Sequence, residues 1–167
     1  MHSPTEEAIA KANAALSELL TQSKTLNLAS TLENKRPHVS YAPFAIDSEL
    51  NFYLFVSELS LHTKNLRERQ HISMMIIEDE ANASQLFARC RLTLGGRAIE
   101  ISRMSSDWNK AADVYRSRFG KFFDKLSQLP DFHMFRIRPA TARLVVGFGA
   151  AYENQLPDWT ALKHLKP

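Results

Sequence analysis

With 167 residues and a formal net charge of +3, the chain is long enough for a sizeable core and only mildly basic, which favours an anionic ligand without arguing for nucleic acid. Hydrophobic residues make up 44% and charged residues 23%, the balance of a folded protein, so disorder is excluded. A single cysteine, Cys90, rules out a disulfide scaffold within the chain. With no apolar run of membrane-spanning length and no basic-then-apolar leader, one soluble cytoplasmic domain over residues 1–167 is expected, bound to neither membrane nor nucleic acid.

Ser3-Pro4-Thr5-Glu6 reads as a helix start, with Ser3 as cap, Pro4 at the first turn and Glu6 closing a capping box. Ile9, Leu16, Leu19 and Leu20 recur at helical spacing, so a helix with one apolar face fills residues 1–22. From Thr25 the period is two. Thr25–Thr31 and His38–Ile46 read as strands around a turn at Glu33-Asn34-Lys35, and Pro43 frays or bulges the second. Phe52–Val56 and Ile72–Ile77 are apolar on both faces, as in a barrel wall whose outside is covered by helices or by a partner subunit. Between them a short helix starting at Ser60 carries His62, Lys64 and Asn65.

Phe87–Ile101, FARCRLTLGGRAIEI, reads as one long strand. Cys90, Leu92 and Leu94 point to one side and Arg89, Arg91 and Thr93 to the other, with a bulge or bend at Gly95-Gly96. Cys90 then reads as a buried structural thiol. Trp108, Ala111, Ala112, Tyr115 and Phe119 mark a helix over Ser106–Phe119, and Phe122–Leu129 a further amphipathic turn. Phe132–Arg138 and Arg143–Tyr152 read as two strands joined at Pro139-Ala140. Gly147-Phe148-Gly149 falls late in the second, where close backbone approach would explain it. The tail, residues 153–167, holds a short helix over Pro157–Lys163. Six or seven hairpin-connected strands with inserted helices make a small closed antiparallel barrel in an α+β setting.

None of the six histidines stands at a spacing that pairs two on one helix face, so a zinc site has no support. No serine lies in a nucleophile elbow, and the one GxG does not follow a strand into a helix. What remains is cationic. Arg89 and Arg91 on one strand face, and His62, Lys64 and Asn65 on a neighbouring helix, suit a phosphate or carboxylate if the barrel brings them together; otherwise they are scattered surface groups.

The ordered set SYAPF (Ser40–Phe44), HTKNL (His62–Leu66), MMIIEDE (Met74–Glu80), QLFARCRLTLGGRA (Gln85–Ala98), FGKFFDKLSQLPDFHMFRIRP (Phe119–Pro139) and GFGAAY (Gly147–Tyr152) resembles the flavin-binding split-barrel superfamily of pyridoxamine-phosphate oxidase. It is most similar to the haem-utilisation branch of HutZ/HugZ type. The resemblance spans about Lys24 to His164. It implies a homodimer of six- to seven-stranded antiparallel split barrels with flanking helices and ligand sites at the subunit interface. In the flavin-binding relatives, cations at positions like Lys64, Arg89 and Arg91 hold the FMN phosphate. In the haem branch the resemblance puts Arg91 beside haem, has Asp131 orient the ligand histidine, and draws an iron-coordinating histidine from the other subunit's tail. The branch's tail runs a few residues past an HL dipeptide to that histidine. Here His164 occupies the HL position, so either it substitutes as the metal ligand, or haem binding is weak, or the site takes FMN. Haem breakdown in this branch uses dioxygen and an external electron donor.

Overall fold

The computed structural model describes residues 6–154, 158 and 160–165. In chain order the elements are α1 (Glu6–Gln22), β1 (Thr25–Thr31), β2 (Pro37–Ile46), β3 (Phe52–Ser57), α2 (Leu61–Glu68), β4 (His71–Ile77), β5 (Arg91–Ile101), α3 (Ser106–Phe119), α4 (Lys121–Ser127), β6 (Phe132–Gly147), β7 (Ala150–Asn154) and β8 (Leu162–His164). All the strand pairings are antiparallel. The sheet order is β3-β2-β1-β4-β5-β6-β7-β8, and an additional β3–β6 pairing closes β1 to β6 into a six-stranded barrel. β7 and β8 continue the sheet outward from β6. The α+β split barrel expected from the sequence is the observed fold.

The period-two runs explain the interior. Leu28, Phe44, Leu54, Met74, Leu94 and Phe135 alternate into one cluster that α1 seals with Ala12, Leu16 and Leu19. β3 is apolar on both sides for a reason found within the chain. Phe52, Leu54 and Val56 fill the barrel, while Tyr53 and Phe55 pack outward under Trp108, Ala111, Tyr115 and Phe123 of α3 and α4. Its outer face therefore needs no partner subunit, whereas β4's outer face is only half covered by its own chain.

β2 runs through Pro43 without the fray or bulge expected of it, and it is the β2–β3 ladder that stops there. In line with the register that pairs Phe44 with Leu54, the next step would pair Pro43 with Phe55. Instead the buried Tyr115 hydroxyl donates to Pro43 O (2.7 Å) and accepts from Phe55 N (3.1 Å), bridging the strands where the ladder stops.

Several sequence expectations are corrected. The long strand begins at Arg91, because Leu86–Ala88 turn as a short 3-10 helix. β6 is continuous through Pro139-Ala140. Pro139 stands opposite Gly96 at the register shift between Gly95 and Gly96, so its missing N–H falls at a bulge. A side chain at Gly96 would stand 3.0 Å from Arg138 O, which is why the bulge takes glycine. Gly147-Phe148-Gly149 forms the β6–β7 turn, with nothing within 4 Å of an added Cβ at either glycine. A positive φ of 67° at Gly149, not close backbone approach, explains that glycine. The tail pairs as β8 against β7 at Leu162–Lys163–His164 where a helix was expected; Pro157 lies outside the described residues, as does the expected capping box at Ser3. The strands total eight among the described residues.

Registers across the barrel set three outward rows in line. Ile77, Arg91 and Val145 form one, Tyr41, Asn27, Met75, Thr93 and Arg143 the next, and Val39, Ala29, Ser73, Gly95 and Thr141 the third. Val39 and Tyr41 are 76% and 68% exposed. The four α-helices pack elsewhere: α3 and α4 on β2 and β3, α1 and α2 against the barrel interior.

Candidate functional site

The helix α2 enters through a turn that Asp131 helps build. Asp131 Oδ2 accepts from Ser57 Oγ (2.7 Å), and its main-chain oxygen accepts from Glu58 N (2.8 Å). Ser57 O in turn accepts from Thr63 Oγ1 (2.6 Å). His62, Thr63, Asn65 and Leu66 are buried. Asn65 Nδ2 donates to Ser30 Oγ at 3.0 Å, so Asn65 fixes the helix on β1. His62 Nδ1 meets Ser40 Oγ at 3.0 Å. Ser40 Oγ also lies within reach of Leu28 O, at 3.4 Å. His62 Nε2 is buried with no hydrogen-bond partner among the described residues. Burial first, and then the nearby His38, hold the His62 imidazole below the usual histidine range, so it is neutral at pH 7.

Lys64 points outward from the same helix and makes loose pairs with Glu33 (3.6 Å) and Glu68 (3.8 Å). Such exposed pairs are worth at most about 1 kcal/mol, so the ammonium remains available. Lys64 and Asn65 line a cleft of about 370 Å³ together with Leu61 and Arg69.

Arg89 and Arg91 do not share a strand face. Arg89 lies before β5; its Nη2 donates to Glu78 O and its Nη1 is 3.7 Å from Glu80. With Cys90 N on Glu78 Oε1 (2.7 Å), it locks the β4–β5 connection. Cys90 is half-buried and packs against the core. Burial, then Glu78, pushes its thiol up to about 11, which suits a structural thiol. Arg91 opens β5 on the uncovered outer face, with Ile77 and Val145 as register partners. It donates to Arg89 O at 3.1 Å and has no carboxylate partner among the described residues.

One chain does not gather these groups. From the Arg91 row to the β1–β2 turn beside Lys64 is more than six residues of strand, roughly 20 Å. Asp131 precedes β6, whereas His164 pairs with Tyr152, which pairs with Leu144 near the end of that 16-residue strand. His164 Nε2 donates to Gly149 O at 3.1 Å, and its ring meets Tyr152 edge-on at 5.2 Å. The barrel thus separates the cations that the sequence grouped, and separates Asp131 from the tail histidine of its own chain.

Sequence reasoning missed a cluster beside Asp131. His133 lies 2.9 Å from both Glu58 and Glu100, and Arg67 on α2 reaches Glu58, Glu100 and His133 at 2.9, 2.9 and 2.7 Å. These residues come from four separate segments, and no spacing signals them. Among the described residues no set of three or more metal-ligating side chains is grouped to hold an ion, and no helix is long and apolar enough to cross a membrane. A cleft of about 750 Å³ between α1 and the ends of β1 and β4 is lined by Glu18, Glu78 and Asp79 against one cation, Lys11. Its charge opposes an anionic cofactor.

The comparisons with known proteins agree on the family. The model of the pyridoxamine 5'-phosphate oxidase family matches residues 12–146. The chain is 40% identical over 151 residues to the haem oxygenase HutZ of Vibrio cholerae, covering 90% of this chain and 85% of that protein. A chloroplastic haem oxygenase of Arabidopsis thaliana, HOZ, is 31% identical over 116 residues, which are 70% of this chain and 34% of that one. The crystal structure of Vibrio cholerae HutZ, there called a haem storage protein, superposes with a TM-score of 0.76 at 38% identity over 80% of this chain and 94% of that one. Campylobacter jejuni ChuZ superposes at 0.82 with 25% identity, over 93% and 63% of the two chains. The chain belongs to the pyridoxamine 5'-phosphate oxidase family of split barrels, and within it to the HutZ type.

Proposed function

We propose that the protein binds haem at the interface of a homodimer and serves haem utilisation, with oxygen-dependent haem degradation as its activity. The observation that carries this reading is Arg91, a half-buried arginine on an uncovered sheet face, between Ile77 and Val145 and free of carboxylate partners among the described residues. An unpaired cation flanked by Ile77 and Val145 suits a macrocycle that carries carboxylates. The relatives named haem oxygenases favour the same ligand.

The residues present fit haem better than FMN. A flavin phosphate held by Lys64, Arg89 and Arg91 needs all three cations free, yet Arg89 is engaged with Glu78 and Glu80. Haem asks for less: one imidazole, one carboxylate to orient it and one cation. When bound, it supplies the redox chemistry, with dioxygen and electrons from an external donor.

This chain's own residues would divide the work. Arg91 pairs with a haem carboxylate. His164 from the partner copy exchanges the Gly149 carbonyl for the stronger Asp131 carboxylate as acceptor of its N–H, leaving the other ring nitrogen for iron. His62 and Asn65 anchor the helix that carries Lys64, which supplies an outer cation, and Arg89 holds the connection that carries Arg91. The same geometry supports a dimer, since Asp131 and His164 of one chain are too far apart to act together. Its contact would be the uncovered face of the three outward rows.

Titration with haemin, followed in the Soret region, tests the reading. Saturable binding is expected, weakened at least about tenfold in His164→Ala if the imidazole is worth more than about 1.4 kcal/mol. Non-saturable absorbance, or a yellow protein that releases FMN on denaturation and ignores haemin, would overturn it in favour of the flavin alternative.

A further inference from the structure

Asp131 sits in a short segment with few main-chain bonds of its own, Leu129 N to Leu126 O (3.0 Å) and Gln128 N to Lys125 O (3.4 Å). α4 ends at Ser127, Pro130 has no N–H to give, and β6 starts only at Phe132. The carbonyls of Ser127 and Leu129, past the helix end, are open to donors from elsewhere, as is that of Phe132 at the start of β6. They all find the same one. Arg103, in the turn between β5 and α3, donates from Nη1 to Ser127 O (2.6 Å) and from Nη2 to both Leu129 O (2.7 Å) and Phe132 O (2.8 Å). Its guanidinium carbon lies 4.6 Å from the centroid of the Trp108 ring, and Trp108 is itself buried in the outer aromatic cluster.

We infer that Arg103 is a positioning residue for Asp131, clamping the segment on both sides of it so that its carboxylate is fixed against the haem-ligating imidazole. This rests on the reading of Asp131 given under the proposed function. The planar fork matters chemically. Two nitrogens in one plane span three carbonyls while the flat face stacks on an indole, whereas a lysine ammonium is a point charge that cannot hold the same array. Asp131's own bonds, from Ser57 Oγ and Glu58 N, tie it to β3 and the turn into α2, while on the α4 side the three Arg103 bonds add to those of Leu129 N and Gln128 N.

The test is a double-mutant cycle read by haemin titration and by the visible spectrum of the bound haem, with circular dichroism as a check on folding. The variants are Asp131→Asn, Arg103→Gln and the two combined, with Arg103→Lys as the milder probe should the glutamine variant fold poorly. Asp131→Asn is expected to shift the spectrum and weaken haemin binding. Arg103→Gln is expected to give the same spectral change at a smaller amplitude, and the double variant to look like Asp131→Asn alone. Arg103→Lys should lie between wild type and Arg103→Gln. If Asp131→Asn changes the spectrum while both Arg103 variants leave it as wild type, the positioning role is wrong and the Asp131 reading stands. Additive effects in the double variant would likewise overturn it, leaving Arg103 as a stability element only. If Asp131→Asn changes nothing, the Asp131 reading falls and takes this inference with it.

Discussion

Met75→Glu is expected to yield a monomer with no saturable haemin binding, in contrast to a haem-binding dimer for the unaltered chain. Met75 sits in the middle outward row, between Asn27 on β1 and Thr93 on β5. It is half-buried in the single chain, so a carboxylate there costs the monomer little. In a two-fold interface the substitution occurs twice, and each carboxylate is stripped of water without a partner. Burying an unpaired charge costs several kcal/mol in practice, enough to dissociate a dimer of ordinary affinity. Sedimentation measures the first half of the expectation and the Soret titration the second. A dimer that survives would move the interface to another face, and haem binding by a monomer would remove the need for one.

The largest loss of stability is expected from Phe55→Ala. Phe55 is the hub of the outer cluster: its ring centroid lies 5.1 Å from Phe123, 5.1 Å from Phe132, 5.9 Å from Trp108 and 6.0 Å from Tyr115. Truncation removes the buried ring and leaves a cavity that four rigid aromatic neighbours fill poorly, so a cost of about 3–5 kcal/mol is expected. Urea denaturation would measure it as a lower midpoint. A cost under about 1 kcal/mol would mean that the helices α3 and α4 collapse onto β3 without it. The consequence reaches the site, because Trp108 and Phe132 of this cluster are also contacts of Arg103.

How far the chain could be read in advance follows from which interactions are local. The strands of the barrel were legible because Leu26, Leu28, Leu92 and Leu94 alternate with polar neighbours, and the register break at Gly95-Gly96 was legible because paired glycines have few other uses in a strand. The continuity of β6 was not. Pro139 signals a turn unless its partner strand bulges opposite it, and that pairing lies more than forty residues away in sequence. The double-sided burial of β3 was seen, but its cover was not attributable from the sequence, since helices of the same chain and a partner subunit leave the same apolar signature. At the site, residue types pointed to an anion, whereas distance did not. Strand geometry puts Arg91 and Lys64 roughly 20 Å apart along the barrel, and no local pattern encodes that separation. The His133 cluster and the Arg103 clamp were invisible for the same reason, as each joins segments that meet only through the fold.

In the proposed dimer, one haem site takes Asp131 from one copy and His164 from the other. Mixed dimers test it most directly. Asp131→Asn and His164→Ala subunits, co-expressed with different tags and purified through both, form a dimer in which one site has both residues intact and the other has neither. Half the sites are expected to bind haemin with wild-type affinity and spectrum. A mixed dimer that binds no better than the average of the two parent variants would contradict it, since both residues would then have to come from one chain.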